Sequence, residues 1–564
     1  MPDRTRRRLL AAACTLGVCA FATASVTVAS DDNVQQAENT YVVLYEQGAD
    51  ATQAREAVEA AGGRVARENA AVGVAEVRSA NAEFIADVIG RAGVQGAATQ
   101  RAIGRAPGGH PKRDPAEQRG RGGKPGGRPG GHHGGGRPPS AEPLAPRQWD
   151  MKMIGADAEG SYRVQQGDRK VKVGIIDTGV DGTHPDIAPN FNAELSRNFT
   201  TDDPLVDGPC AEDPDGSCED PANVDENEHG THVAGTIAAP LNGLGMAGVA
   251  PKAEIVNIRA GQDSGYFFLQ PTVDALTYAG DNGIDVVNMS YYIDPWLFNC
   301  TANPADSPEQ QAEQRTVIEA TQRALRYARD RGVTLVGAAG NQFMDLGKPS
   351  EDATSPDYPP GAEKPRTIDN SCITLPAEGE GTIAVTSVGP SGRKAYYSSY
   401  GIEQADVSAP GGDVRDSATP DQRVAESGIL APYPESLARQ DPRVNPDGTP
   451  NDPFVVRDCA KGRCAYYQYL QGTSMASPHA AGVAALIVAQ YGRKDRGGVT
   501  LDPRVTERVL KGTATDTACP EPRTLDYPDP LGPAYTATCE GDASRNGFYG
   551  EGVVNALRAV TLGR

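Results

Sequence analysis

The sequence predicts an α/β fold in which a central parallel sheet carries helices on both faces, preceded by a small separate α+β unit. Two observations predict it. From Trp149 onward, short apolar runs alternate with helical stretches, the pattern of strands joined by helical crossovers. Before that point, residues 104–147 are rich in Gly, Pro and Arg. Such a stretch cannot bury enough apolar area to offset its ordering entropy, so it divides the chain into two folding units.

Taken in order, residues 1–30 read as a signal peptide. Arg4 to Arg8 are basic, and Leu9 to Val28 form an apolar stretch with small residues near its end. The arginine run fits either general or twin-arginine export. No later apolar run reaches transmembrane length, so the exported protein is expected to be secreted, without a membrane association. Residues 31–103 form the small unit. Tyr41–Tyr45 is a β-prone run, Ala49–Ala61 is helical and stopped by Gly62-Gly63, and Val72–Val77 is a second strand. Phe84, Ile85, Val88 and Ile89 have helical spacing, and Val94–Thr99 reads as a last strand. Residues 104–147 are a disordered linker, and His132-His133 within it read as solvated. In residues 148–564 the expected strands are 171–176, 255–258, 286–289, 333–336 and 383–386. The expected helices are 273–282, 313–331 and 474–490.

Charge excludes one class of partner. The formal net charge is −20, yet residues 1–148 carry 19 of the 54 Lys and Arg and only 15 of the 74 Asp and Glu. The body is therefore strongly acidic and repels nucleic acid. Eight cysteines follow the signal segment, an even number that suits disulfides in an exported protein. Close spacing favours Cys210–Cys218, Cys459–Cys464 and Cys519–Cys539, which leaves Cys300–Cys372.

Three segments carry the chemistry. Val173–Ile176 is a buried strand that ends in Asp177, followed by Thr178-Gly179. His229 opens the small-residue helix His229-Gly230-Thr231-His232-Val233-Ala234-Gly235-Thr236. Ser474 stands at a helix start in Gly472-Thr473-Ser474-Met475-Ala476-Ser477-Pro478-His479. Each alone is ordinary: a turn acid, a structural histidine, an N-cap serine. Together they supply what acyl transfer by a serine needs: a hydroxyl, a base, a carboxylate to orient the base, and N–H donors at a helix terminus.

These three segments closely resemble the signature blocks of subtilisin-like proteases, and the resemblance runs from about Trp149 to the final segment Gly547–Ala556. It implies a subtilisin-like three-layer fold and a serine endopeptidase. Ser474 would be the nucleophile, His229 the base, Asp177 its partner, and Asn341 a side-chain oxyanion donor. Ser290, Gly340 and Gly265 would flank an extended substrate. Tyr292 stands where the family usually has glycine, which would narrow the pocket before the scissile bond. Asp186 and Asn242 match residues of a structural calcium site, while the further ligand near the mature N-terminus falls at Ala145, which cannot supply one. No organic cofactor is implied. Residues 31–103 resemble the family's propeptide, an intramolecular chaperone and inhibitor. The expected protein is a monomeric, secreted zymogen that acts on proteins or peptides. Its alternatives are a dedicated processing protease and a non-catalytic scaffold. The loop between Asp177 and His229 is long, with Asp213, Asp215, Glu219 and Asp220, and is expected to be solvated decoration, the alternative being a rim to the cleft that attracts basic substrates.

Overall fold

The computed structural model describes residues 38–101 and 142–562, apart from 213–215, 360, 419, 461, 495–497 and 529. The signal segment and most of the linker lie outside the described residues.

The small unit is an antiparallel sheet with the spatial order Gly63–Asn69, Val74–Ser79, Asn39–Tyr45, Val94–Arg101. Helices Ala51–Ala60 and Phe84–Val88 cover one face, where Tyr41, Val43, Val58 and Phe84 pack together. Asp50 caps the first helix by accepting the Thr52 N–H at 2.9 Å. The strand Gly63–Asn69 was not expected. It is an edge strand carrying Arg64, Arg67 and Glu68, and so lacks apolar alternation. The other face of the sheet offers Val42, Leu44, Val72 and Val74 to the large unit, where they join one apolar cluster with Val317, Ala320 and Ala324.

The large unit is built on a seven-stranded sheet, all of whose pairings are parallel. Its order is Val407–Pro410, Thr382–Val388, Thr334–Ala338, Val286–Met289, Lys172–Ile176, Glu254–Arg259, Arg197–Asn198. The five expected strands are there; Val407–Pro410 and Arg197–Asn198 are additions. Alternate side chains feed two cores. Val173, Ile175, Val286 and Val336 meet helices His229–Ala238 and Thr473–Tyr491. Ile176, Val287, Met289 and Leu335 meet helices Leu269–Asp281 and Pro308–Asp330. Each fully buried aliphatic side chain contributes about 1.5–3 kcal/mol. Helix Pro308–Asp330 begins five residues earlier than expected, at a capping box formed by Ser307 and Gln310 with Pro308 at its first position.

The order of strands reverses between Lys172–Ile176 and Val286–Met289. Crossovers leave in opposite directions from these neighbours, so a crevice opens at their carboxyl ends. Asp177 follows the first strand and Ser290 the second. A three-stranded antiparallel sheet, Ile429–Tyr433, Arg463–Leu470 and Val455–Ala460, leads the chain back to Ser474. Gly235 is needed where the His229 helix crosses it, because a Cβ there would lie 2.1 Å from Pro432. The four disulfides are the three favoured by close spacing and the remaining pair, Cys300–Cys372. No described helix is long and apolar enough to cross a membrane.

Candidate active site

Asp177 is fully buried at its strand end, and its Oδ1 lies 2.7 Å from Nδ1 of His229. The same oxygen accepts the Thr178 N–H at 2.8 Å, which fixes the carboxylate. With Nδ1 committed, the imidazole offers Nε2 as its other reactive edge. The helix that presents His229 is held by a residue the sequence reading missed. Asp225 accepts the N–H groups of Asn227, Glu228 and Thr231 and both hydroxyls of Thr178 and Thr231. Burial pushes its carboxyl up to about 6. An acid just before a helical run is the only local signal that could have found it.

The neighbouring His232 faces away from the cleft lining and into the core. It is fully buried, its Nε2 faces the carbonyl of Ile429 at 3.0 Å, and burial lowers its pKa to about 3. His479 is equally committed, between Asp150 and the Met475 carbonyl.

The Ser474 helix starts in an unusual way. Its first N–H, on Thr473, is capped by Oδ1 of Asn341 at 2.8 Å, and the Thr473 hydroxyl donates to the same oxygen at 2.9 Å. This turns the Asn341 amide nitrogen away from the helix. The Ser474 N–H belongs to the first turn, where donors lack helical acceptors. Pro478 has no N–H to give the carbonyl of Ser474, four residues earlier. That carbonyl instead accepts the Ser290 hydroxyl at 3.0 Å, and Ser290 Oγ also meets Ser477 Oγ at 2.8 Å and the Asn288 amide at 2.8 Å. In return, Ser474 Oγ donates to the Ser290 carbonyl at 3.2 Å.

His229, Ser474 and Asn341 line one cleft, as do Ser290, Gly340, Gly265 and Tyr292. All of the expected catalytic and substrate-flanking residues therefore come together. Tyr292 does more than occupy space: its hydroxyl donates to Asp357 Oδ2 at 2.6 Å, in the segment closed by Cys300–Cys372. Beside it, the Phe267 and Tyr291 rings stack at 4.1 Å.

The acidic loop differs from expectation. Asp220 is turned inward onto the buried guanidinium of Arg259, which also meets Asp202 at 2.9 Å and Asp263 at 3.2 Å. Oxygens of these three acids lie within 4.8 Å of one another, and the guanidinium supplies the cation they need. Asp213 and Asp215 lie outside the described residues, so of the four acids named only Glu219 is placed near the surface.

Asp186 and Asn242 meet as expected, with the Asn242 amide donating to Asp186 Oδ1 at 2.8 Å. Asp186 Oδ2 accepts the Tyr467 hydroxyl at 2.7 Å and the Met246 N–H at 3.1 Å, and burial pushes its carboxyl up to about 7. Glu142, not Ala145, reaches this loop, its Oε2 accepting the Gly243 N–H at 2.7 Å, and Asp458 Oδ2 accepts the Gly245 N–H at 2.8 Å. Carboxylate and amide oxygens are hard donors of the kind calcium takes, but here they are engaged by loop N–H and hydroxyl donors, and the three acids whose oxygens gather within 4.8 Å of one another among the described residues are Asp202, Asp220 and Asp263.

A carboxylate, imidazole and serine in that chain order, gathered at the carboxyl ends of a parallel sheet, define a site of the serine-protease type on a subtilisin-like fold. The model of the Subtilase family matches residues 168–552, and the chain belongs to that family. It is 29% identical over 346 residues to subtilisin DY of Bacillus licheniformis, covering 61% of this chain and 84% of that one. It is also 29% identical over 331 residues to a thermophilic serine proteinase of Bacillus sp. (strain AK1), covering 58% of this chain; the match spans 55% of that protein's length. Among solved structures, an epidermin leader peptide processing serine protease from Staphylococcus aureus is similar in fold, with TM-score 0.59 and 19% identity. The match covers 93% of this chain and 98% of that one.

Proposed function

We propose that this chain is a secreted serine endopeptidase made as a self-inhibited zymogen. The observation that carries the reading is the 2.7 Å bond between Asp177 and His229 in the cleft that also holds Ser474 and the Thr473-oriented Asn341. Ser474 Oγ attacks the scissile carbonyl carbon while its proton passes to Nε2 of His229. Asp177 stabilises the imidazolium, and the Asn341 amide with the Ser474 N–H receives the oxyanion. The C–N bond breaks as His229 protonates the departing amine. Water then attacks the acyl ester by the same route in reverse. Labelling of Ser474 by a fluorophosphonate, lost in Ser474→Ala and His229→Ala, tests this; a chain that resists labelling is a scaffold and not an enzyme.

The zymogen reading is supported by the way residues 38–101 grip the helices beside the cleft. Asn69 donates to Asp274 at 2.8 Å and Thr277 at 2.7 Å, Thr99 donates twice to Glu313 Oε1, and Arg323 donates to the Tyr45 carbonyl at 2.9 Å. If the unit is a propeptide removed by the enzyme itself, Ser474→Ala retains residues 31–148. Normal maturation of that variant would show that another protease does the cutting. Export is supported by the basic-then-apolar N-terminus and four disulfides. A structural calcium ion held by Asp186, Glu142 and Asn242 belongs to the same proposal.

A narrower, processing type of specificity is favoured by one feature. Tyr292 is pinned by Asp357, so the cleft wall before the scissile bond carries a fixed ring in place of open backbone. A cleavage profile on a peptide library separates a narrow enzyme from a degradative one.

A further inference from the structure

We infer that the stretch Asp202–Asp207 of the long acidic loop is a buttress for the substrate cleft. Through Asp202, Val206 and Asp207 it holds the hairpin Gly261–Phe267, which forms one wall of that cleft, and so sets how well an extended peptide binds. This rests on the endopeptidase reading above and adds positioning residues to it.

The hairpin springs from the catalytic acid. The N–H groups of Ala260 and Gly261 both donate to the Asp177 carbonyl at 3.1 Å. The chain then turns back: Gly261 pairs antiparallel with Phe267, and the Gly265 N–H donates to the Gln262 carbonyl at 2.9 Å. Alternate residues of an extended segment serve opposite faces. Gly265 and Phe267 line the cleft, where the Phe267 ring stacks on that of Tyr291 at 4.1 Å. Tyr266 and Phe268 instead join a buried cluster with Val206 and Tyr358. A two-stranded hairpin is marginally stable by itself, so the placement of this wall depends on what stands behind it.

What stands behind it is the loop. Asp207 bridges the two: its Oδ1 accepts the Ser264 N–H at 2.6 Å and its Oδ2 accepts the Asp203 N–H at 2.6 Å. Asp202 Oδ1 accepts the Asp263 N–H at 3.0 Å, and the Gln262 side-chain amide donates to the Thr201 carbonyl at 3.0 Å. Three successive residues of the hairpin are thus held by the loop, two of them through charge-assisted bonds. The loop is itself anchored. Asp202 meets the buried Arg259 guanidinium at 2.9 Å, and its N–H donates to the carbonyl of Cys218, the partner of Cys210, at 2.9 Å. Asp203 Oδ2 accepts the Tyr358 hydroxyl at 2.8 Å.

The same support reaches the facing wall. Tyr358 sets its ring edge-on to Tyr266 at 5.7 Å and to Phe268 at 5.2 Å. Its chain neighbour Asp357 accepts the Tyr266 hydroxyl at its carbonyl, at 3.1 Å, and the Tyr292 hydroxyl at its carboxylate. Tyr292 lines the cleft, whereas Asp202, Val206 and Asp207 do not. These three therefore act on the substrate through the wall they hold.

The test uses the matured enzyme and two substrates. One is an ester of a single blocked amino acid, which needs the triad and the oxyanion donors alone. The other is a quenched peptide that extends along the cleft. Asp207→Asn sets an amide N–H against a backbone N–H, and Val206→Ala opens a void behind Tyr266 and Phe268. Each is expected to lower kcat/KM on the peptide roughly tenfold, mainly through KM, while the ester and fluorophosphonate labelling rates stay within about twofold of the wild type. Val206→Ile should keep the peptide rate. Labelling also reports folding, so a variant that fails to label is replaced by Tyr358→Phe, which removes one hydroxyl and should slow the peptide alone by about threefold. Equal losses on both substrates, or no loss on the peptide, overturn the buttress alone. Absence of labelling in the wild type overturns the protease reading and the buttress with it.

Discussion

Replacing Ser290 by alanine while keeping the backbone that faces the substrate should destabilise the protein by about 1–3 kcal/mol. The magnitude follows from how its hydroxyl is used. It donates to the Ser474 carbonyl and accepts from Ser477 and Asn288, all in a buried place. The Ser474 carbonyl has no helical donor, because the residue four positions on is Pro478. In Ser290→Ala that oxygen, the Ser477 hydroxyl and the Asn288 amide all lose a partner. Pro478→Ala adds a backbone N–H directly below the Ser474 carbonyl. The double variant should therefore recover about 1 kcal/mol relative to the sum of the single effects. The assay is denaturant unfolding of enzyme blocked at Ser474 by a fluorophosphonate, so that autolysis is silent. Strict additivity of the two substitutions would refute the reasoning, since it would mean that the proline and the Ser290 hydroxyl do not share the Ser474 carbonyl.

Other outcomes follow from the same coordinates. Asn341→Ala should lower kcat about 10²–10³-fold with little change in KM, a magnitude carried over from the corresponding donor of a subtilisin; because Asn341 also caps Thr473, Asn341→Asp should keep the cap yet lose the catalytic donor. His232 binds its proton only near pH 3 when folded but near 6.5 when unfolded, so below pH 6.5 the unfolded chain takes up a proton that the folded one refuses. Stability should therefore fall as pH drops from about 6.5 towards 3, by up to about 1.4 kcal/mol per pH unit, and His232→Gln should flatten that limb in pH-dependent unfolding. Chelation should lower the Tm of the wild type, calcium should restore it, and Asp186→Asn should respond to neither; equal chelator sensitivity in that variant would place the ion elsewhere.

Much of this was legible because the chemistry is local. A serine at a helix start, a histidine opening a small-residue helix and an acid ending an apolar strand each announce themselves within a few residues. The start of helix Pro308–Asp330 was set five residues late although Ser307-Pro308 is a local cap signal, and Asp50 was not read as the cap it is. What else was misread involved partners distant in sequence. The acids of the long loop looked solvated, yet Asp220 and Asp202 turn inward because Arg259, on a central strand, is buried and needs them. Glu142 was overlooked as a neighbour of the Asn242 loop because 101 positions separate it from Gly243. The edge strand Gly63–Asn69 was missed because an exposed edge has no buried face to impose alternation.

By itself the sequence determined the α/β class and the residue types of the three signature segments, because these depend on composition and short-range spacing; it favoured three of the disulfides without fixing the pairing. Only the tertiary structure decided which side chains hold those groups in place. Asn341 caps the nucleophile's helix, Ser290 takes the carbonyl that Pro478 leaves open, and Tyr535 packs its ring against Phe343 from 192 positions along the chain. The physical reason is that hydrogen bonds and ring contacts act over a few ångströms of space. Chain separation does not constrain them, so packing alone selects the partner.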